Sequence, residues 1–424
     1  MHKILIGEQA FRAYISILWF FNAKPATDPN IVVSRIQHGV DAAIDRVPML
    51  GGILYKDDSK VYVKQATNRV LVQLEMLPYT LEQVASSRFN QNKFPDLFDN
   101  LSGAAPAIEG QAVLIVKIIR LQCGALVVAM FCHHIAADAK AVCSIAQCIS
   151  DLSHPNPSAK LPLLWSDRSR LASMLQTYPA KQLPNSLFID PLQHPATNLT
   201  IKHEYKRHQF QLTCRALQQL KAIAQQQDQH NSKQYTTNTL VMALAWRVWT
   251  RVLQKHGSTS PYTHTGCPVD MRTRLEQHVD NMEHYTGNCL LPFPMAAPAQ
   301  FVLESPLVQV AHYIQSLIHK QATVPALHSF MLHFDPADDA AAKLAKTDAP
   351  VISFSNMSRL QLMEIDFGLG HAESVQLCSF DVPFMMFAIS DGQSGLLINT
   401  VLPLEVVTAF SQDQEFALFA NFIY

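Results

Sequence analysis

The chain has 424 residues, 33 Lys+Arg against 34 Asp+Glu and a formal net charge of −1. With 48% hydrophobic and 16% charged residues it carries the material for a large core, which excludes a globally disordered chain. Balanced charge without a long basic run or a recognisable module argues against nucleic acid as partner, and no uninterrupted apolar run approaches the ~20 residues of a membrane span.

Length alone predicts about two domains of roughly 150–200 residues each. The N-terminal stretch MHKILIGEQAFRAYISILWFF is apolar but lacks a small-residue cleavage site and is interrupted by Arg12. It is read as a strand and a helix of the fold rather than a signal peptide, so a cytoplasmic protein is expected. Val32, Ile36, Val40 and Ile44 repeat at helical spacing within Asp28–Val47, with Pro29 tolerated at the start. Leu50–Gln65 alternates on either side of a DDSK turn and predicts a hairpin. Ala112–Leu121 and Gly124–Phe131 are nearly continuous runs of apolar, largely β-branched residues separated by Gln122 and Cys123, the mark of central strands covered on both faces. Ala137–Leu152 is helical, with Ala141, Ile145 and Cys148 facing inward, and the proline-bearing His154–Leu164 ends it.

A second proline-bearing stretch, Leu183–Ala196, is the candidate crossover between two halves, giving domains over 1–182 and 201–424 with a connecting loop over 183–200. In the second half, Lys202–Leu212 reads as a strand that leads into a helix capped by Thr213. Thr236–His256 is the most periodic helix. Its apolar stripe includes Leu240, Leu244, Trp249 and Val252, with Arg247, Arg251 and Lys255 on the opposite face. Ser305-Pro306 opens another helix. Ala349–Phe354, Met385–Ile389 and Gly395–Val401 read as strands, and Leu404–Phe419 as a closing helix. Strands and helices alternate without a strict βαβ rhythm, so the expected class is α/β or mixed α+β, two halves with mixed sheets and flanking helices.

The eight cysteines form no CxxC pair and no zinc spacing, and several lie in apolar runs, so reduced thiols are expected and no metal site. GxSxG, HExxH, GxxxxGK and a strand-borne GxGxxG are all missing. What stands out is LVVAMFCHHIAAD, Leu126–Asp138. It is a buried strand ending on His133-His134, with Asp138 four residues later. A histidine at a strand end is held rigidly, and an ordinary pKa near 6.5 suits it to accept a proton at neutral pH. The pattern also fits a core histidine. A metal pair is disfavoured, because adjacent residues on extended chain point to opposite faces, and the same alternation lets only one of the two face a site. A helix starting near Ile135 places Asp138 in its first turn, where it either orients His134 or locks the loop by pairing with an arginine.

Taken together with Asp366-Phe367-Gly368-Leu369-Gly370 near the C-terminus, His134-Ile135-Ala136-Ala137-Asp138 resembles the HxxxD and DFGWG motifs of the BAHD acyltransferases, in the right order. These belong to the chloramphenicol acetyltransferase-like superfamily. Leu369 in place of tryptophan is similar to the fungal, trichothecene-acetyltransferase-like branch. Weaker echoes are Ser166-Asp167-Arg168 ("DR"), Val269–Arg274 with Tyr285-Thr286-Gly287-Asn288 ("VDxRxR…YxGN"), and Ser355-Asn356-Met357-Ser358 ("SNWS").

The resemblance implies two similar domains with a channel between them and an acyl group passing from acyl-CoA to a hydroxyl or amine of a specialised metabolite, with no metal. It implies His134 as general base and an Asp138 that pairs structurally with an arginine, for which Arg272 is the candidate. It implies that Asp366, Gly368 and Gly370 shape a loop by the cofactor channel without touching substrate. Ser355, Asn356 and Ser358 are the candidates for the donor that a developing oxyanion needs. A monomer is expected. Three residues depart from the family pattern: Ala139 replaces a glycine after the aspartate, Met357 replaces a tryptophan, and His371 stands where a basic residue often follows DFGWG, which leaves the contacts to the CoA phosphates unassigned. Two other readings stay open: a free-standing condensation-type enzyme with a carrier-bound donor, which the histidine doublet fits, and a non-catalytic ligand-binding relative.

Overall fold

The computed structural model describes residues 2, 4–11, 13–22, 27–57, 60–66, 70–98, 110–154, 163–179, 204–228, 235–333, 351–378 and 383–424. The expected crossover over 183–200 lies outside them.

Two mixed sheets organise the chain. The first has five strands in the order Ser374–Cys378, Tyr14–Phe21, Leu126–His133, Leu114–Leu121 and Gln73–Leu77. Leu126–His133 is its middle strand, antiparallel to both neighbours, and all eight of its residues are buried. The helices Pro29–Arg46 and Ala139–Ser153 pack with one face, where Ile36, Val40, Ile145 and Ile149 meet Val128 and Met130. On the other face Val127, Ala129 and Phe131 meet Phe98 and Val84. Cover on both sides is why this strand shows no alternation. Strand Ser374–Cys378 comes from late in the chain yet pairs with Tyr14–Phe21, so the last quarter of the sequence is tied into the first sheet.

The second sheet has seven strands: Asn421–Phe422, Tyr205–Leu212, Leu396–Pro403, Met385–Ser390, Ile352–Asn356, Tyr262–Asp270 and Leu290–Pro298. Thr237–Lys255, capped by Thr236, is its central helix. This helix is buried almost all round rather than on one stripe. Arg247 is interior, donating to Glu415 at 2.8 Å and to the Val302 carbonyl at 2.8 Å, so the expected polar face is internal at Arg247, while Arg251 is half-buried and Lys255 exposed. The closing helix is broken. Leu404–Gln412 ends at Asp413, whose carboxylate caps a second turn, Gln414–Ala417, and pairs with Arg251. Three strands of this sheet gave no sequence signal, Tyr262–Asp270, Leu290–Pro298 and Asn421–Phe422, and neither did Gln73–Leu77 and Ser374–Cys378 of the first. Leu290–Pro298 holds Pro292, Pro294 and Pro298, and it is an edge strand, where a missing N–H costs no ladder bond.

Candidate active site

The motif strand ends at His133, and the chain turns before the helix Ala139–Ser153 begins. That helix starts later than the sequence suggests. Asp138 is its N-cap rather than a first-turn residue, accepting from the Ala141 N–H at 3.0 Å. The two histidines part at the turn. His133 is buried edge-on against Tyr14, and its Nδ1 accepts from the Ile135 N–H at 3.2 Å. His134 is half-buried, and its ring stacks on Phe11 with centroids 4.7 Å apart and planes 13° apart.

The His134 tautomer follows from its neighbour. Asn288 Nδ2 donates to the His134 carbonyl at 2.7 Å and to the Ile135 carbonyl at 3.2 Å. With its amide nitrogen so engaged, Asn288 presents Oδ1 to His134 Nδ1 at 3.0 Å. Nδ1 must therefore carry the hydrogen, and Nε2 carries the lone pair. Burial lowers the imidazole pKa below its ordinary value, while the residue's own carbonyl, Asp138, Asn288 and Glu8 pull it upward without cancelling that effect.

Asp138 is fully buried, and its carboxylate is engaged by Arg272 and by two backbone N–H groups. One oxygen accepts from Arg272 Nη2 at 3.0 Å and from Ala141, and the other lies 2.9 Å from Arg272 Nη1 and accepts from the Cys289 N–H at 2.8 Å. Arg272 is buried as well. It also donates to the carbonyls of Tyr285 at 3.0 Å and Gly287 at 2.8 Å and to Asp270 at 3.0 Å, so the guanidinium joins the HxxxD turn to the segment carrying Asn288. Burial works against its charge, but Asp138 and its other partners hold it above the usual arginine range. A second buried pair lies behind the turn. Arg168 Nε donates to Glu8 at 2.8 Å and Arg168 Nη2 to the Ala136 carbonyl at 2.7 Å. Sequence reasoning gave Asn288 and Arg168 no role beyond their motifs and did not single out Glu8 or Phe11.

DFGLG sits at the other end of the motif helix. Asp366 Oδ1 lies 2.7 Å from His154 Nε2, and the Phe367 N–H donates to Ser150 Oγ at 2.8 Å. Twelve residues of helix separate Ser150 from Asp138, about 18 Å at 1.5 Å per residue, so this loop stands well away from His134. Phe367, Gly368 and Gly370 all have positive φ, and Phe367 is buried edge-on against Trp19. The side chains of the SNMS segment are spent differently. Asn356 Nδ2 donates to Asn238 Oδ1 at 2.8 Å, and its own oxygen accepts from the Ser358 N–H at 2.9 Å, which commits Asn356 to the start of the helix Thr237–Lys255. Ser355 and Ser358 are half-buried. Among the described residues no group of three or more His, Cys, Asp or Glu side chains is placed to hold a metal, and no helix is long and apolar enough to cross a membrane.

Several solved structures share this fold. TRI101 of F. graminearum, solved with coenzyme A and T-2 mycotoxin, superposes with a TM-score of 0.81 at 16% identity over 100% of both chains. Vinorine synthase superposes with a TM-score of 0.69 at 15% identity, covering 96% of this chain and 91% of its own. The first condensation domain of the calcium-dependent antibiotic synthetase reaches 0.63 at 12% identity, covering 98% and 95%. No curated protein matches the sequence. The model of the family described as the Transferase family matches residues 75–417, which include HIAAD, Arg272, Asn288 and DFGLG, and the chain therefore belongs to that family, the BAHD-type acyltransferases.

Proposed function

We propose that the protein transfers an acetyl or other acyl group from a CoA thioester to a hydroxyl, or an amine, of a specialised-metabolite acceptor, with His134 as general base. The observation that carries this reading is the Asn288 contact, which puts the imidazole hydrogen on Nδ1 and the lone pair on Nε2. Nε2 takes the proton of the acceptor hydroxyl as the oxygen attacks the thioester carbonyl. The same proton then passes from the imidazolium to the departing sulfur, leaving a free thiol and an ester. Asp138 takes no proton in this scheme. It and Arg272 set the turn, and Asp366, Gly368 and Gly370 shape a loop at the far end of the motif helix. Ser355 or Ser358 is the candidate donor to the developing oxyanion, Asn356 being occupied by Asn238. That TRI101 has been solved with coenzyme A and T-2 mycotoxin, and with coenzyme A and deoxynivalenol, supports free CoA as the carrier; a polycyclic alcohol is the first acceptor to try. We take the enzyme to act as a cytoplasmic monomer.

The test is thiol release from a panel of acyl-CoAs against pooled polycyclic alcohols and amines, with wild type and His134→Ala side by side. Release that requires both an acceptor and His134 is expected. Unchanged release in His134→Ala would sink the assignment of the base. Transfer from a phosphopantetheinyl carrier but never from free CoA would favour the condensation-type reading.

A further inference from the structure

Glu8 is a carboxylate with no exposed surface, on the short 3-10 helix Ile6–Ala10, and its side-chain partners Arg168 and Asn288 are far from it in sequence. Its Oε2 accepts from the Leu5 N–H and from Arg168 Nε, both at 2.8 Å. Its Oε1 accepts from Arg168 Nε at 3.0 Å and, at the long end of hydrogen bonding, from the Asn288 N–H at 3.3 Å and Asn288 Nδ2 at 3.4 Å. Arg168 spans from this carboxylate to the Ala136 carbonyl, inside the turn between His134 and Asp138. One buried ion pair therefore grips the proposed base from both sides, the amide that fixes its tautomer and the turn that carries it.

The segment bearing Glu8 is itself clamped. Gly7 lies so close to the helix Val324–His333 that a Cβ there would stand 2.6 Å from the Phe330 carbonyl oxygen. Gln9 exchanges two hydrogen bonds with the Val61 backbone, at 2.7 and 2.9 Å. Three residues after Glu8, Phe11 covers one face of the His134 ring. The same short segment thus reaches the imidazole twice, by a stacked ring and through Asn288.

We infer that Glu8, paired with Arg168, is a positioning residue for acyl transfer: it orients the Asn288 amide that holds the Nδ1–H of His134, and through Arg168 it fixes the turn that presents Nε2. This rests on His134 being the base. The Glu8 charge also favours the imidazolium formed when Nε2 takes its proton. Among the described residues, the charged groups that act on His134 are Asp138 from its own turn and Glu8 from the N-terminal segment, neutralised by Arg272 and Arg168; Tyr285 and Cys289 of the second half lie against those arginines. Removing the Glu8 charge therefore makes the imidazole harder to protonate.

The test combines two readouts in the full chain: the ¹⁵N shifts of the His134 ring, which report tautomer and titration, and the pH profile of kcat/KM. Glu8→Gln keeps the size and removes the charge. Glu8→Asp keeps the charge against Arg168 and draws it back by one methylene. Asn288→Ala leaves the ion pair intact and cuts the link. We expect Asn288→Ala to lose the Nδ1–H preference. We expect both Glu8 variants to lower kcat by about 10–100-fold with little change in KM, and Glu8→Gln to move the acid limb and the ring titration to lower pH. Folded Glu8→Asp and Glu8→Gln proteins with wild-type kcat and an unmoved acid limb would overturn the inference, as would an unchanged tautomer in Asn288→Ala. If Glu8→Gln does not fold, Glu8→Asp decides the matter by its kcat and ring shifts. Because the ring shifts need no turnover, they still report the Glu8–Asn288 link if His134→Ala proves that another group is the base.

Discussion

Asp138→Asn is nearly isosteric and tests whether the HxxxD aspartate holds the two halves of the site together. Each carboxylate oxygen faces two donors: Ala141 N–H and Arg272 Nη2 on one side, Cys289 N–H and Arg272 Nη1 on the other. Whichever oxygen becomes an NH₂ points donors at donors, and Arg272, only 2% exposed, loses its buried counter-charge. Breaking a buried pair by removing one partner costs about 3–5 kcal/mol, a large part of the ~5–15 kcal/mol that holds a typical domain folded. Guanidinium unfolding of Asp138→Asn, Arg272→Met and the double variant forms a cycle. Each single change is expected to cost about 3–5 kcal/mol, and the double variant to cost less than the sum by ~2 kcal/mol or more, because it leaves no lone charge. Single variants within ~1 kcal/mol of wild type, or costs that simply add, would refute the reasoning.

Because burial lowers the His134 pKa, its neutral form persists below the ordinary histidine value, and the acid limb of kcat/KM should fall below about pH 6.5. The same depression makes the unfolded chain bind the proton first, so the contribution of His134 to stability is present above the unfolded value of about 6.5 and is lost as the pH falls from there through the lower folded-state value; denaturation against pH with His134→Ala as reference reads that slope. Gly368 has φ +68°, and a Cβ there would sit 3.4 Å from the Ser153 carbonyl oxygen, so Gly368→Ala should cost about 1–2 kcal/mol in thermal unfolding and raise KM for the acyl-CoA more than it lowers kcat. Phe11→Ala removes the ring stacked on His134 and should lower kcat about 2–10-fold, the value of one such contact, with Phe11→Tyr close to wild type in steady-state kinetics.

What the sequence made legible was whatever depends on local periodicity. The central strands, the hairpin and the long helices follow from runs and repeats whose cause is burial on one face or two. The partners of those elements were not legible. Ser374–Cys378 gives no local hint that it pairs with Tyr14–Phe21, some 360 residues upstream, because a five-residue buried strand looks the same in any sheet. Leu290–Pro298 was hidden by its own prolines, which only an edge position tolerates. Arg247 read as a solvated face because a charge on a helix usually is one; here Glu415 and two carbonyls take it indoors. The site divides the same way. The motifs gave His134, Asp138 and the candidate Arg272, whereas Glu8 is one acid among many until the fold sets it against Arg168 and Asn288.

The five residues HIAAD are a weak signal alone because they do not by themselves define a base. A histidine after a strand has two ring nitrogens and a free choice between them. Here that choice is made by Asn288, from the second half of the chain, and the turn is held by Arg272 from the same half and by Arg168 with Glu8 from the N-terminal segment. Three stretches separated by more than 100 residues of sequence must be docked before Nε2 carries a lone pair in a fixed direction. The proposed reactivity is thus a property of the assembled interface, and a variant that loosens it should lose kcat while its motif strand, packed on both faces, stays in place.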